Sequence, residues 1–250
     1  MSNHSNPSTA RIFTRSIVVF TIAILTCNGS LYAQLEGKEE SDKASGLMFT
    51  CVALGEMPDE PLFYRDGESY LPVELFPGTR SAPMFLRKSE VFSLFVAKVT
   101  DEQTTYREVG RSKLIPETRR LLFLLDEVAN AAEMKLRIIA IDDSLKAFPP
   151  GTFRFFNFTS TKLQVRLAGQ VAGIDPGKME VVKSRVDDQG AFVPFLIGDQ
   201  KGKVIFETRL FGQPTGREMV FIGKPSKPGE MPKVKFLTQI IPRKLPVETR

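Results

Sequence analysis

Two pairs of adjacent carboxylates, Asp142-Asp143 followed by Ser144 and Asp187-Asp188, are the residues of this sequence whose types most suggest chemistry. Paired carboxylates bind Ca²⁺ or divide general acid and base work between them. Adjacent side chains on a strand point to opposite faces, so a dipeptide alone does not converge on a ligand. Neither pair has the spaced oxygens of an EF-hand loop. Loop solvation and turn-making are the expected roles. Gly198-Asp-Gln-Lys-Gly202-Lys203 has the look of a phosphate loop, but its glycines stand too close together and Val204 occupies the Ser/Thr position. It reads as a hairpin turn. The sequence therefore assigns no catalytic, cofactor-binding or metal-ligating residue, and no cofactor.

Missing residues narrow the chemistry further. The one histidine is His4. If the N-terminal segment is removed, the mature chain has no imidazole for a Ser-His-Asp or Cys-His nucleophile, and none for a catalytic zinc site. Cys27 lies in the same segment, so Cys51 is alone and forms no internal disulfide. Its setting, Met48-Phe-Thr-Cys-Val-Ala-Leu54, is that of a small core hydrophobe on a buried strand. Asn157-Phe-Thr159 matches a glycosylation sequon but falls inside a strand-like run.

The first 33 residues have the order of a secretory signal. Arg11 and Arg15 come first without acids, Ser16–Cys27 is apolar, and Leu31-Tyr-Ala33 offers a small residue at the cut. The apolar run is short for a membrane span, which needs about 20 residues. A lipoprotein signal at Cys27 is the rival, weakened by Thr26 before it. Export to the periplasm or the cell exterior is expected, with a mature N-terminus at Gln34. Residues 34–45 are polar and charged and read as a flexible lead.

Charge is uneven along the rest. The whole chain carries +5, the segment 224–250 alone carries +5, and residues 34–223 carry −2. A nucleic-acid-binding domain would put a basic face on the folded body, so no nucleic-acid partner is expected. The 224–250 segment holds five of the 17 prolines and reads as a basic, Pro-rich tail. It suits weak contact with anionic surfaces, including membrane, although Val234–Ile241 could pair as an edge strand.

The elements that would position these residues are strands. Val91–Val99, Leu136–Ile141, Phe153–Phe158, Leu163–Leu167, Ala191–Ile197, Lys203–Phe211 and Glu218–Ile222 are apolar, aromatic or strictly alternating. Gly and Pro turns punctuate them, from Asp175 onward about every 12 residues, the spacing of an all-β sandwich. Arg119–Met134 is ambiguous, because Leu121, Leu122, Leu125, Val128, Ala129 and Ala132 form a helical stripe while Leu121–Leu125 suits a buried strand. A strand over 120–125 and a helical turn near 127–133 are expected. Pro149-Pro150-Gly151 marks a boundary between two small immunoglobulin-like sandwiches, 46–148 and 151–223. No internal repeat with a shared motif is visible. The phenylalanines, 20 in all, sit mostly among aliphatic neighbours and read as core.

Asp142-Asp-Ser, Phe148-Pro, Gly151 and Arg154-Phe-Phe-Asn-Phe158 together resemble a pattern in uncharacterised secreted bacterial β-sandwich proteins, over residues 70–222. The resemblance implies a fold and an exported location but no activity. The functional expectation is an exported, non-catalytic structural or adhesive protein making contacts with a protein or envelope polymer. Two alternatives stand beside it. A carbohydrate-binding module would need an exposed Tyr/Phe strip on one sheet face. A carboxylate-only hydrolase would need two acids facing across a cleft about 5–10 Å apart.

Overall fold

Residues that alternate apolar and polar bury one face of a strand, and residues that are apolar throughout bury both. Both patterns occur here, and they set the layering. The computed structural model describes residues 46–241, except 56–59, 88, 101–102, 129–130, 132, 185, 187–188 and 228. The expected signal, the lead and residues 242–250 lie outside the described residues. None of the described residues is helical.

The strands are β1 (Leu47–Ala53), β2 (Leu62–Asp66), β3 (Ser69–Val73), β4 (Met84–Leu86), β5 (Val91–Val99), β6 (Thr104–Lys113), β7 (Arg120–Glu127) and β8 (Leu136–Asp142) in the first half. The second half supplies β9 (Thr152–Asn157), β10 (Leu163–Leu167), β11 (Gln170–Ile174), β12 (Met179–Lys183), β13 (Ala191–Gly198), β14 (Val204–Gly212), β15 (Gly216–Gly223) and β16 (Lys233–Ile240). They form four sheets: I, in the order β4-β1-β7-β8; II, β3-β2-β5-β6; III, β12-β9-β15-β16; and IV, β11-β10-β13-β14.

Sheets I and II enclose one core, in which Phe49 packs edge-on against Tyr64, Phe92 and Phe123 at 5.0, 4.9 and 5.5 Å between ring centroids. Sheets III and IV enclose a second, around Phe155, Phe195, Val220 and Ile222. Each is a sandwich, as the turn spacing implies. A third cluster was not expected. Val52, Leu122, Leu124 and Ile141 from sheet I pack with Phe156, Met219 and Phe221 from sheet III and with Phe148 from the connection. These side chains alternate with those of the two sandwich cores, so sheets I and III meet back to back. The third cluster therefore joins the two cores, and the described residues belong to one compact unit.

Burial on both faces explains β7. Arg120–Leu125 is buried without interruption, a run that fits helix or strand equally well. The helical turn expected near 127–133 is corrected for the residues described there: the strand continues to Glu127, the Val128 N–H donates to the Lys135 carbonyl at 2.8 Å, and none of 127, 128, 131 and 133 is helical, while 129, 130 and 132 lie outside the described residues. β7 runs parallel to β1, and β15 runs parallel to β9. Parallel pairs belong to sheets covered on both faces, and sheets I and III are the covered ones.

The two halves have the same architecture, although the sequence shows no repeat. In each, the fourth strand pairs the first, the first runs parallel to the seventh, and the seventh pairs the eighth. The second sheet is ordered third-second-fifth-sixth in both. Register makes Phe49 equivalent to Phe153 and Arg120 equivalent to Arg217. The eighth strand of the second half is β16, paired antiparallel with β15 from Gly216↔Ile240 to Gly223↔Lys233. The segment after Gly223, read as a basic arm, thus completes the second sandwich through Ile240.

The halves differ at one side. β6 lies against β8, and Gly110 permits it: a Cβ there would meet the Leu136 carbonyl oxygen at 2.5 Å. Arg107 stitches the same side, donating to the Met134 carbonyl and pairing Glu133, both at 3.3 Å. The equivalent strands β14 and β16 make no comparable approach.

Candidate functional site

Between β8 and β9 the chain crosses from one sandwich to the other, and Asp143 sits at the start of the crossing. Its N–H donates to the Arg120 carbonyl at 3.0 Å, and its carboxylate is 1% exposed. Arg80 Nη1 donates to Oδ2 at 2.5 Å, Arg217 Nη2 approaches the same oxygen at 3.4 Å, and Arg120 Nε lies 3.5 Å away. Arg217 Nη1 also donates to the carbonyls of Asp143 and Phe148, each at 3.0 Å, and Nη2 donates to Gln239 Oε1. Arg154 donates to the carbonyls of Asp142 at 2.9 Å and Ala147 at 3.0 Å. Both guanidiniums lie over the Phe148 ring, 4.3 Å and 4.9 Å from its centroid. Asp142 turns the other way and accepts the Ser144 N–H at 2.9 Å, winding the connection into a turn.

Burial alone would push the Asp143 carboxyl up, but Arg80, Arg217 and Arg120 outweigh it and hold it below the usual carboxylate range. Burial also lowers Arg217 to about 10, so it stays charged at neutral pH. Arg120 and Arg217, equivalent in the two halves, converge on one carboxylate from opposite sheets. The Nε atoms of Arg80, Arg154 and Arg217 are buried without a hydrogen-bond partner, a cost that the apolar packing around them must offset.

This arrangement clamps the connection between the two sandwiches. Asp143 Oδ2 faces three guanidiniums in a buried site and serves as their shared counter-charge. The solvated-loop role expected for Asp142-Asp143 is corrected for Asp143. Asp142, Asp143, Phe148 and Arg154 all take part in this junction. Arg80, Arg120 and Arg217 were not singled out in the sequence. For two of them the available signal was a charge at the head of an apolar run, Arg120-Leu-Leu-Phe and Arg217-Glu-Met-Val-Phe, because a buried charge requires a buried partner; Arg80, in Thr-Arg-Ser-Ala-Pro, carries no such signal.

Other sequence candidates resolve plainly. Asp187-Asp188 lies outside the described residues. Gly198–Lys203 is a hairpin turn in which Asp199 Oδ1 accepts the N–H groups of Lys201 and Lys203 at 2.8 and 3.0 Å. Cys51 is fully buried, and burial pushes its thiol far up. Asn157 is also fully buried, with Nδ2 donating to the carbonyls of Thr161 and Ile174, so the folded sequon is shielded. Among the described residues, no group of three or more His, Cys, Asp or Glu could hold a metal ion.

Two surfaces remain as candidates. At one end of the first sandwich a groove of about 780 Å³ is lined by Arg87, Glu90, Lys113, Glu117 and Arg119 among apolar neighbours. On the outer face of sheet II, Phe63 and Phe95 stand opposite each other in register. Tyr70 and Tyr106 stack over them with parallel rings 3.8 Å apart. Tyr70 meets Phe95 edge-on at 5.0 Å, and Tyr106 meets Phe63 at 5.4 Å. All four rings are partly exposed. Ion pairs Arg65–Glu68 and Arg111–Glu108, at 3.2 and 2.7 Å, lie on the same strands and turn. No family model matches the chain, and no curated protein is significantly similar to it.

Proposed function

We propose that this chain is an exported, non-catalytic structural or adhesive protein of the bacterial envelope that works through contacts with other proteins. The observation supporting this reading is the junction. A connection held by Arg154 and Arg217, with sheets I and III back to back, fixes both outer sheets as surfaces on one unit. That suits a part that must hold its shape between partners. The N-terminal order of basic, apolar and small residues supports export. Any membrane-surface contact falls to the basic residues Arg243, Lys244 and Arg250, beyond β16. In-cell crosslinking with mass spectrometry of the mature chain tests the reading. It requires an N-terminus at Gln34 and crosslinks to envelope proteins. A cytoplasmic protein with an intact Met1 or Ser2 would end it.

The outer face of sheet II favours a second reading, a carbohydrate-binding surface. Aromatic rings accept the C–H faces of sugars, and the tyrosine hydroxyls and flanking charges supply hydrogen bonds. Binding to envelope polysaccharide that disappears in Tyr70→Ala and Tyr106→Ala, with an unchanged melting temperature, would establish it. Equal binding by both variants would remove it.

A further inference from the structure

The side of the second sandwich that differs from its twin leaves two strand edges unclosed. β16 and β14 each end their sheet, and neither contains a proline. Ile241 N–H donates to the Thr215 carbonyl. In an antiparallel pair the bonding direction alternates, so the odd-numbered residues of β16 bond to β15. Val234, Phe236, Thr238 and Ile240 turn their N–H and C=O groups outward. The same four residues carry side chains facing sheet IV: Val234 packs on the second core, and Phe236 approaches Phe195 at 6.5 Å. Phe236 is nonetheless 41% exposed and Ile240 50% exposed. Across the gap, Phe206 and Leu210 of β14 are only partly covered.

Glu218 points into this mouth. Its equivalent in the first half is Leu121, a fully buried core residue. Here the carboxylate takes that place, accepts a hydrogen bond from Thr238 Oγ1 at 2.8 Å, and is pushed up by burial. A core-facing carboxylate weakens a sandwich that a leucine would close, and it offers a charged acceptor to an incoming chain.

We propose that the β14–β16 side is a strand-acceptor site, taking from a partner protein an extended segment with alternating apolar side chains and one Lys or Arg that pairs with Glu218. The incoming backbone bonds to the outward groups of β16, adding a strand to sheet III. Its apolar side chains cover Phe236, Ile240 and Phe206. The inference rests on the reading that the chain works through protein contacts, and it names the place and the chemistry.

A phage-displayed library of random peptides of about nine residues, within the usual length of a strand, is selected on the full chain. Hydrogen–deuterium exchange is then followed with the selected peptides. The expected winners alternate apolar and polar residues, carry a Lys or Arg, and slow exchange at Phe236, Thr238 and Ile240. Glu218→Leu should weaken them at least about tenfold, a loss of about 1.4 kcal/mol, while its melting temperature holds or rises. Ile240→Pro removes an outward N–H that β15 does not use and should abolish binding. If that variant does not fold, Glu218→Leu still decides. Winners without a basic residue, winners bound equally by Glu218→Leu, or protection elsewhere would overturn the proposal. So would a dimer of the chain that protects the same amides without peptide. Envelope crosslinks combined with a failed selection would remove this site and leave the broader reading intact.

Discussion

Replacing Asp143 with Asn keeps the shape of the side chain and one acceptor oxygen but removes the buried negative charge. Arg80, Arg120 and Arg217 then face each other across a site in which Asp143 is 1% exposed and Arg217 fully buried. Removing one partner of a buried ion pair costs about 3–5 kcal/mol, because the remaining charge is stranded in a poor solvent. For a chain of this size each kcal/mol moves the melting temperature by about 2–4 °C, so a drop of about 6–20 °C is expected. Urea unfolding at pH 7 reads the same change as a shift in midpoint at constant slope. Stability against pH gives an independent check. The Asp143 carboxyl titrates lower in the folded chain than its ordinary value of 3.8. Its contribution is therefore complete above that value and is lost as pH falls through the lower folded value. The wild-type chain should lose stability there and approach the variant, while Asp143→Asn lacks this part of the pH dependence. A loss below about 1 kcal/mol at pH 7, within the range of an exposed pair, would show that Asp143 is not the counter-charge of the junction.

Phe148→Ala removes a fully buried ring that lies under both Arg154 and Arg217, and should cost about 3–5 kcal/mol by calorimetry or urea. Gly110→Ala places a methyl against the Leu136 carbonyl. It should lower stability by about 1–3 kcal/mol, and an unchanged midpoint would mean that the β6–β8 closure yields easily. A chain ending at Gly223 loses β16, with its Lys235–Leu54 and Arg217–Gln239 bonds, and should melt well below the full chain. Equal melting would contradict β16 as a structural strand. Cys51 should react with a thiol reagent only as fast as the fold opens, so rapid labelling of the native chain would place it nearer the surface.

The all-β class was legible because nearly every apolar run is either alternating or short and bounded by Gly or Pro turns. β7 was not, because a strand buried on both faces loses the alternation that distinguishes it from a helix. Only the packing of sheet I on sheet III supplied the second burying surface. The duplicated topology left no trace in the sequence, since a strand position asks for an apolar side chain and not for a particular one. Phe49 still matches Phe153, while Leu121 is answered by Glu218. Asp143 looked like a solvated turn residue next to Asp142. Its role was decided by three arginines that the fold brings from positions 80, 120 and 217, since a charge separated from its partners along the chain finds them only when the sheets stack. Whether residues 233–240 were arm or strand likewise depended on the free edge of β15, which exists only in the folded sheet.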